Sequence, residues 1–580
     1  MPVRKEHTVS AFDVETTGLR PWYGDTIFAY CICNVAGEVK VVRNKKHPVK
    51  PLQEYLNDTT IDKICHNLKF ELSMLTADGY HIPKNTVWHD TMIMSQLIKN
   101  LRPFHSLDYL AWELSGWSRE GDFEVKRLGR AYNGYDKIPE HIMHKYQIAD
   151  GQRTMILFQA FWPEIANTKL EDDYWNEIEL IKTTMRMERN GVKLIVPNTN
   201  ALIKEMNAKI EKAEVDLIDT AGEYYNLGSP KQVGHLLYEK LKLPVIAFTK
   251  SGGKSTDKKV LEKLEESNPH TIFDILHRYR AFTKGRGIIE GYKKTVGEDG
   301  IIHPNLKTNH AATGREACDN PNLQNVSKRE NKSVRYPIPA RRCFGPRSGC
   351  FYLLVDQAGI EMRLIIEASQ CTRMIELMKK GFNPHIIAAE TFYGKMFRSK
   401  AEDKDLYSTA KNGHFCLAYG GGLDAFAFTL MLTISKARPG FESYKFKFPE
   451  IANLISDGIR AVKDNDGFIT TAFGRKLQIP HEEIYAWLNY FIQGTAAGII
   501  KRGQIQVEKW LQKHWPEVKL VLTIHDEIIF ELPLYLEKFL PEIMHGISET
   551  MIHIEGISVP LEVEFKMTKT NWDEAEDISC

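Results

Sequence analysis

Two segments of the chain place carboxylates where they could bind divalent metal ions. In VSAFDVETTG, Asp13 and Glu15 alternate along an apolar run, so a strand would hold both on one face. In LLVDQAGIEMR, Asp356 ends an apolar run and Glu361 follows the short turn Gln-Ala-Gly. Like charges held this close repel each other unless a cation lies between them. For either segment alone, an exposed strand face or an Asp that suits a turn remains the alternative.

More acids follow the first pair within one domain length. Glu71 lies near the start of an apolar-periodic helix in ICHNLKFELSML, and Asp90 follows in WHDTMIM, where it fits a structural role. Tyr146 and Asp150 are four residues apart in HKYQIADGQRT, which puts them on one helical face. Such a pair alone is more often structural than catalytic. The series therefore predicts one site assembled from several elements.

The second half of the chain combines a lysine with aromatic residues and a further pair of acids. Lys411, Phe415 and Tyr419 recur every four residues in DLYSTAKNGHFCLAYGGG and share one helical face. Core packing explains the aromatic residues, but a buried stripe seldom begins with Lys. A cation beside aromatic rings suits a triphosphate with a stacked base. In LVLTIHDEIIFEL, two apolar strands flank Asp526 and Glu527, which predicts a hairpin with acids at its turn.

Three other segments suit contacts with a nucleic-acid duplex. Amide and guanidinium groups on an irregular segment and on a helix can bind minor-groove acceptors, and lysines on a Gly-rich tip can bind phosphates. These residues are Arg315, Gln324, Asn325, Asn489, Gln493, Lys250 and Lys254. Turn chemistry and a solvated loop are the alternatives for the irregular segment and the tip.

Composition limits the class of protein that must position these groups. A chain of 580 residues exceeds one core, so several domains are expected. The formal net charge of +1 means that any DNA contact rests on local basic patches. Nine scattered cysteines without a C-x-x-C pair indicate reduced thiols in a soluble, intracellular protein. No run of about 20 apolar residues is present, so no membrane span is expected.

The first series of acids resembles the proofreading 3′–5′ exonucleases that use four acids and a tyrosine. The resemblance implies that Asp13, Glu15, Glu71 and Asp150 hold two divalent metals, while Tyr146 orients the attacking water. The family usually has Asp where this chain has Glu71. The extra methylene can move the carboxylate oxygens by about 1 Å, and such misplacement lowers rate. A weakened or inactive exonuclease is therefore the alternative to a fully active one.

The remaining motifs are similar, in order and over nearly the whole chain, to those of family A DNA polymerases. The resemblance implies a multidomain α/β fold, in which an RNase H-like 3′–5′ exonuclease domain precedes a right-hand polymerase domain. The expected limits are 1–170 for the exonuclease, 175–310 for the thumb, 311–371 and 466–580 for the palm, and 372–465 for the fingers.

The same resemblance implies roles for single residues. Asp356 and Asp526 would bind two Mg²⁺ ions, as the exonuclease acids would bind two more, with Mn²⁺ as the other metal of suitable chemistry. Glu527 would lie beside the polymerase metals, and Lys411 would contact the triphosphate and protonate the leaving group. Glu361 would exclude a ribose 2′-hydroxyl. The other implied contacts are Arg329, His385, Phe415 and Tyr419 for the nucleotide, and Arg315, Gln324, Asn325, Asn489, Gln493, His525, Lys250 and Lys254 for DNA.

Three positions depart from the family pattern in ways that predict lower nucleotide affinity. Gly359 stands where the family usually has Gln, and Tyr407 and Tyr485 stand where it usually has Arg. Lys404, about one turn before Tyr407, is the predicted substitute for the first of these arginines. None of the three replacements removes a predicted metal ligand.

The predicted function is template-directed DNA synthesis from dNTPs on a primer–template, with proofreading. The expected protein is a monomeric replicative polymerase without a 5′-nuclease domain, from a phage or an organelle, working with helicase and primase partners. A single-subunit RNA polymerase is one alternative, and Glu361 and the exonuclease acids argue against it. A DNA-binding scaffold with a degenerate polymerase fold is another, and Asp356, Asp526, Lys411 and Glu527 argue against it.

Overall fold

The structure is a computed structural model that describes residues 8–44, 48–308, 311–327, 335–394 and 404–579. Arg329, a predicted nucleotide contact, lies outside the described residues, as does the side chain of Lys404. Within the described ranges, no helix combines the length and the apolar character that crossing a bilayer requires.

The N-terminal unit is a five-stranded sheet with helices packed against it. Its strands are β1 (Thr8–Thr16), β2 (Ile27–Asn34), β3 (Val39–Arg43), β4 (Ile61–Cys65) and β5 (Trp88–Asp90). Its helices are α1 (Lys50–Asn57), α2 (Leu68–Ala77), α3 (Thr91–Ile98), α4 (Leu107–Ser115), α5 (Glu120–Tyr132) and α6 (Glu140–Ile165). The strand order is β3-β2-β1-β4-β5, with β1 antiparallel to β2 and parallel to β4. The central strand β1 is thus held on both edges, which makes it a rigid support for its side chains.

Helix α7 (Glu171–Asn190) joins this unit to the rest of the chain. On the N-terminal side, the Tyr174 hydroxyl accepts the main-chain N–H of Asp90 at 3.0 Å and lies 3.1 Å from His89 Nδ1. Trp162 and Trp175 pack around the same tyrosine. The aromatic contacts fasten α7 to the sheet that carries the first group of acids.

A mainly helical middle unit follows. Its elements are β6 (Val192–Lys193), α8 (Val196–Ala221), α9 (Pro230–Gly234), a π-helix (His235–Lys240), α10 (Lys258–Ser267), α11 (Thr271–Thr295), β7 (Ile301–Ile302), β8 (Asn305–Lys307) and β9 (Ala317–Asp319). The Ser229 hydroxyl caps α9, with Pro230 at the first position of the helix. The long antiparallel pair α8 and α11 bury apolar stripes such as Leu217 and Leu276.

The C-terminal unit is built on a second five-stranded sheet, of order β13-β14-β10-β15-β16. The strands of this unit are β10 (Cys350–Gln357), β11 (Phe468–Thr470), β12 (Lys476–Gln478), β13 (Lys519–Ile524), β14 (Glu527–Pro533), β15 (Val563–Thr568) and β16 (Glu576–Ile578). Its helices are α12 (Ile360–Ser369), α13 (Thr372–Lys379), α14 (Pro384–Tyr393), α15 (Lys404–Ala418), α16 (Leu423–Thr429), α17 (Ile434–Lys447), α18 (Pro449–Asp464), α19 (Trp487–His514) and α20 (Leu540–Ile552).

The apolar run before Asp356 forms the central strand of this second sheet. Residues 351–355 of β10 are fully buried between β14 and β15, to which the strand is antiparallel. A strand buried on both faces reads as a continuous apolar run, which explains the sequence Phe-Tyr-Leu-Leu-Val. The predicted strand, the 519–533 hairpin and the helix that carries Lys411 are therefore confirmed as elements.

Candidate active sites

The exonuclease-like acids converge from two elements. Asp13 and Glu15 project from β1, and Asp150 projects from the middle of α6. One carboxylate oxygen of each lies within 4.8 Å of the others. The period of the strand and the packing of α6 on β1 bring together acids that are 135 residues apart in the chain.

The charges at this site are poorly compensated. Burial and the Asp150 carboxylate raise the pKa of Asp13, while burial together with Asp13 and Asp150 raises the pKa of Glu15. Burial raises the pKa of Asp150 to about 7, although Arg153 acts in the opposite direction. Glu15 Oε1 has no hydrogen-bond partner among the described residues. Three crowded carboxylates with an orphaned oxygen fit a hard divalent cation.

Glu71 lies close to the three acids but is held differently. Its Oε2 accepts the main-chain N–H of Val14 at 3.1 Å, from the residue between Asp13 and Glu15. It does not belong to the group of three whose oxygens lie within 4.8 Å of one another. Burial and Asp13 raise the pKa of Glu71. The longer side chain thus reaches the backbone of β1, a contact that sequence alone did not predict.

Tyr146 and an arginine flank Asp150. Tyr146 donates a hydrogen bond to Asp150, one helical turn away, and this carboxylate raises the pKa of the Tyr146 hydroxyl. Arg153 binds Asp150 at 3.1 Å and Asp122 of α5 at 2.8 Å. The sequence analysis missed Arg153, although its spacing of three residues from Asp150 was a usable signal. Asp90 caps α3 through the N–H groups of residues 92 and 93, in agreement with the structural role predicted for it.

In the C-terminal unit, the hairpin β13–β14 brings two acids to the end of β10. Asp356 and Glu527 are paired across β10 and β14, and Asp526 lies in the turn just before β14. The main-chain oxygen of Asp526 accepts the N–H of Gln357 at 3.2 Å. His525 takes a φ of 57°, so the tight turn is made with a left-handed residue that is not Gly or Asn. The structure therefore brings Asp356, Asp526 and Glu527 together, as the motifs predicted.

Arg341 is a charged neighbour that the sequence analysis missed. Its guanidinium lies 3.3 Å from Glu527 Oε1 and stacks 3.9 Å from the ring centroid of Trp572. Burial lowers the pKa of Arg341, while Glu527 opposes that shift. Because Arg341 lies in a short 3-10 helix (Ala340–Cys343) without a recognisable motif, only the fold reveals this pairing.

The predicted nucleotide-binding residues lie on α12, α14 and α15. The Tyr419 hydroxyl donates to Glu361 Oε1 at 2.6 Å, which joins the ends of α12 and α15. Lys411 is exposed on α15, and Phe415 lies 5.4 Å from the ring of His385. His385 itself is buried, with its Nδ1 3.2 Å from His414 Nδ1. Its contact with a nucleotide therefore stays a prediction.

The three departures from the family pattern occupy different environments. Gly359 has a φ of 59° at the N-terminus of α12, a conformation that glycine adopts without strain. Tyr407 packs edge-on against His385 with ring centroids 6.3 Å apart. Tyr485 is 70% exposed. The backbone explains the glycine, and the contact with His385 gives Tyr407 a packing role.

The predicted DNA contacts divide into two groups. Arg315, Gln324 and His525 line one cavity of about 80 Å³ together with Asp526, and Gln324 Nε2 donates to the Thr523 main-chain oxygen at 3.2 Å. Asn325 and Asn489 are exposed, and Gln493 is half-buried on α19. Lys250 and Lys254 lie on an exposed turn after the π-helix, where Lys254 pairs with Glu239. These last two residues do not line the cavity near Asp526.

Comparisons with known proteins agree with this arrangement. The family model for DNA polymerase family A matches residues 196–574, and a 3′–5′ exonuclease model matches residues 3–166. DNA polymerase I of Pseudomonas aeruginosa is 28% identical over 91% of this chain and 58% of that protein. The Caldicellulosiruptor bescii enzyme of the same name is 30% identical over 90% and 59%, and that of Bacillus subtilis 27% over 96% and 63%.

The chain thus spans about three-fifths of the length of these relatives. A solved structure, described as the POL domain of Pol1 from M. smegmatis in complex with DNA primer-template and dNTP, has the same fold. It superimposes with a TM-score of 0.79 at 24% identity, over 98% of this chain and 96% of that one. Because the polymerase family model covers well over half of the residues, the chain belongs to DNA polymerase family A.

Proposed function

We propose that the chain is a template-directed DNA polymerase that adds dNTPs to a primer 3′ end and proofreads with a 3′–5′ exonuclease. The observation that carries the proposal is the arrangement of Asp356, Asp526 and Glu527 at one end of a buried sheet. Asp356 at the end of β10 and Asp526 in the neighbouring hairpin turn, with Glu527 beside them, suit the hard metal ions of phosphoryl transfer. The division into exonuclease, thumb, palm and fingers at the expected limits is part of the proposal.

The residues of the polymerase site have separable tasks in this proposal. Asp356 and Asp526 would hold two Mg²⁺ ions, which supply charge neutralisation for the primer 3′-oxygen and the leaving pyrophosphate. Lys411 binds the triphosphate and delivers a proton to the leaving group. Glu361, oriented by the hydrogen bond from Tyr419, excludes a ribose 2′-hydroxyl.

The exonuclease site acts on the same primer end in the reverse direction. Asp13, Glu15 and Asp150 would hold the metals that bind the scissile phosphate. Tyr146 orients the water that attacks this phosphate. Glu71 supports the strand between the two acids of β1 through the Val14 N–H, so we propose an active exonuclease.

A polymerase with an inactive exonuclease is the second candidate. The position of Glu71 outside the group of three close carboxylates favours it, since a missing fourth ligand would weaken metal binding. The two candidates differ only in the degradation of the primer, so one assay separates them.

Primer extension with a 5′-end-labelled primer tests the proposal. In Mg²⁺ with four dNTPs the primer should lengthen to the end of the template, and without dNTPs it should shorten from its 3′ end. Absence of lengthening in Mg²⁺ and in Mn²⁺ would contradict the polymerase assignment. Lengthening without shortening would select the second candidate.

The partners are proposed on the same basis. Primer–template DNA and dNTPs are the proposed substrates, since the M. smegmatis POL domain was solved in complex with DNA primer-template and dNTP. A monomeric replicative role in a phage, with helicase and primase partners, extends the proposal further. Gel filtration with light scattering tests whether the protein is a monomer, because the molar mass measured for a dimer would be twice that of the chain.

A further inference from the structure

A buried polar network lies behind the turn that carries Asp526. Gln504 of α19 donates from Nε2 to Glu316 Oε2 at 2.6 Å and to Thr523 Oγ1 at 3.1 Å. The main-chain oxygen of Thr523 accepts a hydrogen bond from Gln324 Nε2 at 3.2 Å. Thr523 is therefore held through both its side chain and its main chain, just before the residues of the turn.

Glu316 is a costly residue for this location. Burial raises its pKa to about 7, although Lys501 and Gln504 oppose the shift. Its Oε1 has no hydrogen-bond partner among the described residues. Burying a carboxylate is costly unless it is fully paired and hydrogen-bonded. The presence of Glu316 is therefore poorly explained by stabilisation of the whole fold. It is better explained if Glu316 holds neighbouring residues in position.

The network continues from Glu316 to the helix that leaves the N-terminal unit. Lys501 Nζ lies 2.5 Å from Glu177 Oε1 of α7, and its positive charge acts to lower the pKa of Glu316. Glu177 also pairs with Arg475, whose Nε lies 2.6 Å from Asp173 Oδ2. Lys501, which acts on Glu316 electrostatically, is thus held by buried ion pairs between α7, α19 and the β11–β12 turn.

Glu316 and Asp526 also lie on the walls of the same cavity. The cavity measures about 80 Å³, and its polar lining residues are Arg315, Glu316, Gln324, Lys501, His525 and Asp526. This space exceeds what one ordered water requires, and its walls offer several polar partners. Any displacement of Glu316 therefore changes the cavity wall against which the Asp526 turn packs.

We propose that Glu316 is a positioning residue of the polymerase site, which acts through Gln504 and Thr523 to hold the turn that carries Asp526. The inference rests on the proposed polymerase function. Hydrogen-bond partners that orient a metal ligand commonly change metal affinity or activity by about 10- to 100-fold when they are removed.

Two variants of one residue test the proposal. Glu316→Ala removes the acceptor, and we expect kcat for primer extension to fall by about 10- to 100-fold. The Mg²⁺ concentration for half-maximal rate should rise, while the KM for dNTP stays near that of the wild type. Glu316→Gln keeps an oxygen for Gln504 and should recover most of the rate and the Mg²⁺ dependence.

A matched control lies on the same helix. Glu508 of α19, four residues after Gln504, pairs with Arg186 of α7 at 2.7 Å. Glu508→Ala also breaks a contact between α7 and α19, but it should leave the Mg²⁺ dependence unchanged. Exonuclease degradation of a single-stranded oligonucleotide, measured in every variant, reports whether the protein is folded.

The outcomes separate this inference from the proposed function. If the wild type extends primers and Glu316→Ala keeps its kcat and Mg²⁺ dependence, the inference is wrong. It is equally wrong if Glu316→Gln is as impaired as Glu316→Ala. If Glu316→Ala does not fold, Gln504→Met, which keeps length but loses the donor, must show the same rise in Mg²⁺ requirement. Failure of the wild type to extend any primer overturns the proposed function instead.

Discussion

The two acidic sites of this chain solve the same electrostatic problem in opposite ways. In the N-terminal unit, Asp13, Glu15 and Asp150 are crowded within 4.8 Å; Glu15 and Asp150 are buried and Asp13 is partly exposed, and protonation of all three is favoured. At the end of β10, no such group of three close ligands forms among the described residues. There Glu527 is paired with Arg341 at 3.3 Å.

The difference teaches how each site depends on its metal. The exonuclease acids lie close together, so they repel one another unless a cation lies between them. In the polymerase site, Arg341 pairs with Glu527, and Asp526 lies in the turn of the β13–β14 hairpin. The geometry of these acids therefore depends on the position of that hairpin. We therefore expect metal binding to raise the stability of the protein through the first site, and to depend on the arrangement of the acids at the second.

Substitution of one polymerase acid should give the largest effect. Asp526→Asn removes the charge but keeps the size, and loss of several kcal/mol of metal-assisted stabilisation corresponds to about a 10³-fold fall in kcat. Primer extension in single-turnover mode measures the fall. Exonuclease activity on single-stranded DNA serves as the control and should match the wild type. Near-normal extension would contradict the assignment of Asp526.

The reciprocal experiment removes the other pair of acids. The double variant Asp13→Ala and Glu15→Ala should lose about 10³-fold or more of its 3′-end degradation, because no metal can bind between β1 and α6. Extension with dNTPs should persist in the same preparation. Unchanged degradation would show that the exonuclease site lies elsewhere.

Much of this comparison was predictable from the sequence, and the unpredicted part has a physical explanation. The resemblance to known families located Asp13, Glu15, Asp150 and the hairpin acids, while strand alternation and helical spacing, which are local, predicted which of the acids share a face. The partner Arg341 comes from a short 3-10 helix and Glu316 from an irregular segment, and the fold brings both into place. Local patterns contain no information on such long-range neighbours, so both were missed.

Glu71→Asp tests how the exonuclease adapted to its unusual residue. The shorter side chain restores the usual family residue but should lose the hydrogen bond from the Val14 N–H. A lost hydrogen bond to a buried charge costs about 1.5 kcal/mol or more, which corresponds to about a tenfold slower degradation of single-stranded DNA. Extension rate is the control. A faster exonuclease in Glu71→Asp would instead show that Glu71 impairs the wild-type site.

Metal and pH should change the stability of the exonuclease unit together. The pKa of Asp150 is raised to about 7, above the unfolded value near 3.9, so the folded state binds more protons between these values. The stability of the metal-free protein should therefore fall as pH rises through this window. Thermal unfolding in EDTA should occur at a lower temperature at pH 8 than at pH 6.

Mg²⁺ and Asp13→Asn should each reduce that difference, because both remove repulsion at the site. Asp424→Asn, in which an acid of α16 outside both sites is changed, is the control and should keep the wild-type difference. A metal-free protein with the same unfolding temperature at both pH values would contradict strong crowding of the three acids.

The smallest expected effect comes from Tyr419→Phe. This variant separates the orientation of Glu361 by Tyr419 from the exclusion of a ribose 2′-hydroxyl by Glu361 itself. Tyr419→Phe removes only the 2.6 Å hydrogen bond to Glu361, worth about 1 kcal/mol, so discrimination against ribonucleotides should fall by about fivefold. Glu361→Ala removes the excluding group itself and should cause a larger loss. The ratio of kcat/KM for dNTP to that for the matching ribonucleotide measures both. Equal losses would show that Glu361 excludes the 2′-hydroxyl only when Tyr419 holds it, whereas no loss in either variant would contradict the steric role.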